Sequence, residues 1–165
     1  MSAIAPGHDA APAPAIALPR PRAAEAGAVC CLVAAGIHLA VFPDHAQEWW
    51  AYGAFFAGCA VWQAVLGLLL WSGPRPQWLL LVGLASLLAV LVLYVLSRTN
   101  GVPLGPHAGR PEPAGALDLI CAGSELGAIV AVVQLLPPVT ARRALSGVGL
   151  AGAALWTARG TGMLL

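Results

Sequence analysis

The sequence predicts an all-α integral membrane protein, a bundle of about five transmembrane helices with four as the alternative count, and three observations lead there. Of 165 residues, 59% are hydrophobic and 9% charged, whereas a soluble domain carries roughly 25% charged residues. Mean hydropathy is +0.82. Apolar stretches of about 18–22 residues recur along the chain, the length that crosses a bilayer core, whereas runs of about 10–14 fill soluble cores. A chain of this kind cannot cover itself with polar surface, so lipid is its expected solvent.

The elements follow in order. Residues 1–23 are Ala/Pro-rich without a helical period and read as a disordered cytoplasmic tail, and residues 24–165 as the bundle. Arg20 and Arg22 precede an apolar run but come late for a cleavable leader, so the first span, about 25–42, reads as an uncleaved signal anchor ended by Pro43. The second is expected over about 45–71, with Asp44 as N-cap and Gln47 as its capping-box partner, up to the breaker Ser72-Gly73-Pro74. A third over about 77–96 is apolar on nearly every face apart from Ser86 and Tyr94. The fourth covers about 114–136 and stops at Pro137-Pro138; a shorter, glycine-rich fifth covers about 141–158. Small residues four apart, as at Gly53 and Ala57, Ala60 and Ala64, or Gly149 and Ala153, let helices approach closely in lipid or meet another subunit.

Arginine sets the orientation, since short cytoplasmic loops retain positive charge. With the tail inside, Arg20, Arg22, Arg75, Arg142 and Arg143 are cytoplasmic, and Arg98, Arg110 and Arg159 lie outside. Trp49 and Trp50 then sit at the outer interface, where indoles prefer to be. The lack of lysine and the wealth of Ala, Gly, Pro and Arg suggest a GC-rich bacterial genome, hence a multi-pass protein of a bacterial cytoplasmic membrane with its N-terminus in the cytoplasm.

Drawn this way, most of the bundle's ionisable residues fall on the outer side. His38 lies about one turn below the outer end of the first helix. His45, Glu48, Tyr52, Cys59 and Gln63 follow one stripe of the second, and Asp118, Cys121 and Glu125 one stripe of the fourth. Facing each other, with His38 between, these line a cleft that opens outward and narrows to Glu125. That residue is the most demanding, roughly 16 Å along its helix and near the middle of the core. An acid there costs about 3 kcal/mol on insertion scales, so it should face the bundle interior and find a partner, either as a proton relay or ligand contact or as a hydrogen-bonded tie between helices. The long outer loop, 98–113, carries Arg98, His107, Arg110 and Glu112; its proline and glycine suit either a folded cap over the cleft or a plain solvated loop. Arg98 or Arg110 would neutralise Glu112 or Asp118.

Metal binding has candidates in His38, His45 and Glu48, the last two sharing a face, but no HxxxH or HExxH pattern accompanies them. Haem has a single deep ligand in His38. No cofactor is therefore called for, with a metal ion or haem as alternatives. Cys30, Cys31, Cys59 and Cys121 lie inside apolar stretches without CxxC spacing and read as free thiols. GxSxG and phosphate-binding glycine loops are absent, so no catalytic set is assigned. With a net charge of +1 and only Arg142-Arg143 as a basic cluster, nucleic acid is not an expected partner. The expected partners are the lipid bilayer and a further membrane protein or a second copy of the chain.

The stretch Ser97-Arg98-Thr99, Gly101, Pro103, Gly105-Pro106, Pro111-Glu112-Pro113, Gly115, Asp118 and Glu125 resembles small polytopic membrane proteins of high-GC Gram-positive bacteria. The resemblance covers about a third of the chain. It implies that the third loop and the fourth-helix acids form one recurring unit, and it lends no catalytic residue. The expected function is a membrane protein whose outward polar cleft binds or helps to move a small ligand, metal ion or proton. The alternatives are an accessory subunit of a larger membrane complex and a small haem or metal oxidoreductase.

Overall fold

The computed structural model describes residues 19–160, which form five α-helices and no strand: α1 (Arg20–Glu48), α2 (Trp50–Ser72), α3 (Gln77–Thr99), α4 (Ala116–Leu135) and α5 (Pro138–Gly160). The first four are long and apolar enough to cross a membrane. Most of the expected tail, residues 1–18, lies outside the described residues. Its last part is corrected: Arg20 to Ala23 are the first turn of α1, with Pro21 near the start, where a missing N–H costs no hydrogen bond.

The largest correction concerns the end of the first helix. Pro43 does not stop α1; it sits inside the helix, which continues to Glu48. A proline removes one i→i−4 bond and ends a helix only where nothing else supports the following turn. Here the Pro43 carbonyl accepts from Gln47 Nε2 at 3.3 Å, and the turn beyond it packs so tightly on α2 that a Cβ on Gly53 would lie 2.6 Å from that of Ala46. The break comes instead at Trp49, whose backbone is extended at φ −163°, ψ 132°. Asp44 is therefore not an N-cap, and His45 and Glu48 belong to the last turns of α1 rather than to a stripe on α2. At 29 residues α1 is also the longest helix. It measures about 43 Å against a core of about 30 Å, so its end reaches past the hydrocarbon or the helix tilts.

Helix α1 packs by backbone approach on both α2 and α4, and α4 packs on α3. Small residues on one face of α1 permit this. Ala24, Ala28, Cys31, Ala34, Ala35 and His38 recur every three or four positions and are all buried. On the facing helix a Cβ on Gly67 would come within 3.1 Å of the Ala28 carbonyl. Helices α2 and α3 meet through side chains instead: Trp62 Nε1 donates to Ser86 Oγ at 2.7 Å, and Leu66 fills the space beside Gly83.

The dry core lies in the half of the bundle away from the long loop, around Leu66, Leu70, Leu84, Leu87, Ile129 and Val132. Apolar side chains such as Leu39, Val61, Leu68, Val92 and Leu126 point outward, as lipid requires. Helix α5 is tied at its first turns, where Ala141 and Ala144 touch that core and Gln77 Nε2 donates to Thr140 Oγ1 at 3.2 Å.

Candidate functional site

At the opposite end from the dry core the same helices leave a cavity of about 340 Å³, lined by α1, α2, α3, α4 and the loop between α3 and α4. Its walls are mostly apolar, from Ile37, Val41, Phe55, Phe56, Val90 and Leu93. Polar groups gather at its floor and at its mouth.

The floor centres on Glu125, the tenth of the twenty residues of α4 and only 2% exposed. Its Oε1 accepts from Gln63 Nε2 of α2 at 2.8 Å and lies 3.1 Å from His38 Nε2 of α1. Cys121, one turn earlier on α4, places Sγ 3.7 Å from the same histidine nitrogen. A single carboxylate thus ties three helices, as a buried acid in lipid must in order to recover its lost hydration. Among the described residues His38 Nδ1 and Gln63 Oε1 have no hydrogen-bond partner, on residues that are 5% and 1% exposed.

The mouth is organised by Arg98, in the last turn of α3. Its Nη1 donates to Glu112 Oε2 at 3.0 Å and to the Pro113 carbonyl at 3.1 Å, while Nη2 lies 3.1 Å from Asp118 Oδ2. The guanidinium also stands 5.3 Å from the centre of the Tyr94 ring. Asp118 in turn accepts from the Gly115 N–H at 2.7 Å, capping α4 and favouring its positive end.

Between these anchors the loop is folded. The Gly109 N–H donates to the Val102 carbonyl at 3.0 Å and the Glu112 N–H to the Ser97 carbonyl at 3.1 Å, and Tyr52 Oη of α2 reaches across to the Leu104 carbonyl at 2.9 Å. Gly105 makes this closure possible. At φ +95° it takes a conformation that side chains rarely adopt, and a Cβ would fall on Tyr52 and Trp49.

The structure brings His38, Gln63, Cys121 and Glu125 together at the floor, and Tyr52, Arg98, Glu112 and Asp118 at the mouth. His45 and Glu48 line the upper wall from α1. The Nδ1–H of His45 donates to the Val41 carbonyl at 2.9 Å, and its ring packs on Phe56 with centroids 3.9 Å apart. Glu48 stands 4.0 Å from His107 of the loop, both of them exposed by more than 40%. Neither joins His38 in a metal-ligating group; among the described residues the group that forms is His38, Cys121 and Glu125. Arg110 is exposed and forms no ion pair among the described residues, so Arg98 alone neutralises the two carboxylates. Cys59 is buried in α2 and does not line the cavity.

Sequence reasoning missed the ring of Phe56 beneath two histidines, the Tyr94 face behind Arg98, and Ser97, whose carbonyl holds the loop. Only the Ser97-Arg98 pair at a helix end offered any signal, because the rings look like ordinary lipid-facing residues in the sequence. No protein-family model, curated protein or solved structure matches this chain.

Proposed function

We propose that the chain is a five-span protein of a bacterial cytoplasmic membrane, with its N-terminus inside, that binds a small ligand or ion in a cleft opening at the outer surface. The observation that carries this reading is the floor: a buried acid of α4 held by His38 and Gln63, with His38, Cys121 and Glu125 lining the closed end of an apolar cavity. Pockets of about 300 Å³ and upward, with apolar walls and a few convergent polar groups, are the usual form of a small-molecule site. The positive-inside count supports the orientation, and a fifth crossing by α5, which is less apolar than α1 to α4, would begin on the cytoplasmic side at Arg142 and Arg143.

Cys121 gives a direct test, because it lines the cavity while Cys31 and Cys59 are buried elsewhere. In a chain retaining only this cysteine, a small membrane-impermeant thiosulfonate added to intact cells should modify it, and a bulky one should not. Modification from the cytoplasmic side alone, or from neither side, would reject an outward cleft.

A further inference from the structure

The geometry points to a divalent transition-metal site of the zinc class at the floor, formed by His38, Cys121 and Glu125, one each from imidazole, thiolate and carboxylate. This rests on the outward-cleft reading only for the ion's route in, and the ligand set stands on its own distances. The donor atoms lie within 4.8 Å of one another. Zinc bonds of about 2.0–2.3 Å at tetrahedral angles require donors about 3.4–3.6 Å apart. The nitrogen–oxygen and nitrogen–sulfur separations of 3.1 and 3.7 Å already bracket that edge. Side-chain adjustments of a few tenths of an ångström would complete those two edges.

Three further features fit an ion. First, a divalent cation held by one thiolate, one carboxylate and a neutral imidazole sums to zero charge, the condition under which an ion can lie near the middle of a bilayer without a large desolvation penalty. Second, Gln63 has its amide nitrogen on Glu125 and its buried Oε1 without a partner among the described residues. Rotating that amide by half a turn would present the oxygen where the nitrogen now stands, as a fourth donor or as the acceptor for a metal-bound water. Third, it is Nε2 of His38 that faces both other donors, so a neutral ring would ligate through Nε2 and carry its proton on Nδ1. His45 and Glu48, the residues whose spacing suggested a metal, are tied to Val41 or stand apart near His107, and so serve the approach rather than the ion.

The test uses the full chain purified in detergent and cobalt(II) chloride as probe. One equivalent should give the ligand-field bands of tetrahedral cobalt with thiolate-to-cobalt charge transfer in the near ultraviolet, and zinc chloride should abolish both. Cys121→Ser should remove the charge-transfer band, Glu125→Gln should weaken binding by about 100-fold or more, and Cys59→Ser should change nothing. Cobalt that remains octahedral, or a charge-transfer band that survives Cys121→Ser, would overturn the inference. Since Glu125→Gln could also loosen the bundle, protection provides a second reading in unmutated floor residues. Zinc should slow thiosulfonate modification of Cys121 at least tenfold in the single-cysteine chain. Modification that proceeds unprotected rejects the metal and leaves the cleft standing. A Cys121 that no reagent reaches rejects the cleft, and the cobalt spectrum still decides the metal.

Discussion

The two polar clusters of this bundle use the same chemistry at different depths, and the comparison shows what depth does to a charged group. At the mouth Arg98 holds two carboxylates, with side chains 20%, 41% and 36% exposed for Arg98, Glu112 and Asp118. At the floor His38 and Glu125 form one contact of similar length between side chains 7% and 2% exposed. Water and salt screen the first set, and each member can return to solvent if its partner goes. For the second there is no such refuge. Removing one member strands the others in a medium where an unpaired polar group is costly. The mouth should therefore tolerate single losses and govern loop order, whereas the floor should fail as a unit.

The largest effect is expected at Glu125. Glu125→Ala leaves Gln63 Nε2 unpartnered and His38 Nε2 with only the Cys121 thiol, and should destabilise the bundle by about 3–5 kcal/mol, read as the unfolding midpoint in mixed micelles of rising denaturing-detergent content. Glu125→Gln, with equal volume and an oxygen in place, should recover most of that. So should the triple variant His38→Leu, Gln63→Leu and Glu125→Leu, which removes the three polar groups together. Equal stability of Glu125→Ala and the parent would erase the distinction between floor and mouth. Next comes Arg98→Ala, which frees Glu112 and Asp118 to solvent and should cost about 1–2 kcal/mol. Its larger consequence is local: hydrogen exchange should accelerate in residues 101–112, held to α3 through Arg98 and the Ser97 carbonyl, with little change along α4. Uniform acceleration would make Arg98 part of the global fold.

How much of this could be read from the sequence depends on whether local pattern or packing decided the outcome. The spans were readable because apolar length is a local property, and α3 starts at Gln77, where it was expected. Glu125 was readable as an interior residue because its cost in lipid permits no other place. The α1–α2 break was not. Pro43 is the stronger breaker by propensity, yet the close fit of Ala46 on Gly53 carried the helix through it, and the extended residue fell at Trp49, which has no breaker chemistry. That six-residue shift moved His45 and Glu48 from one helix to another and dissolved the stripe they had made with Tyr52. His38 and Cys121 were both expected in the cleft, but not their direct contact, since 83 residues separate the two and cysteines in apolar runs are ordinarily inert.

A smaller effect is expected at Tyr52, whose hydroxyl donates to the Leu104 carbonyl at 2.9 Å. Tyr52→Phe keeps the ring against Trp49, with centroids 5.1 Å apart, and removes only the hydrogen bond. About 1 kcal/mol should be lost. Because that bond spans the cavity mouth, the rate of Cys121 modification should rise several-fold while the floor holds. An unchanged rate would mean that reagents enter by a path that Leu104 does not cover.

The smallest effect is expected at His107, and it sets the lower end of the scale. His107 and Glu48 face each other across the same mouth but at 4.0 Å, with 41% and 46% of their side chains exposed. Any attraction exists only while the imidazole is protonated, and exposed pairs of this kind are worth about 0–1 kcal/mol at best. His107→Ala should therefore leave the unfolding midpoint within about 0.5 kcal/mol of the parent and leave loop hydrogen exchange unchanged. If the variant instead opened the loop as Arg98→Ala does, the contact between α1 and the loop would be tighter than 4.0 Å in the membrane. The mouth would then depend on both ends of the loop rather than on Arg98 and Tyr52.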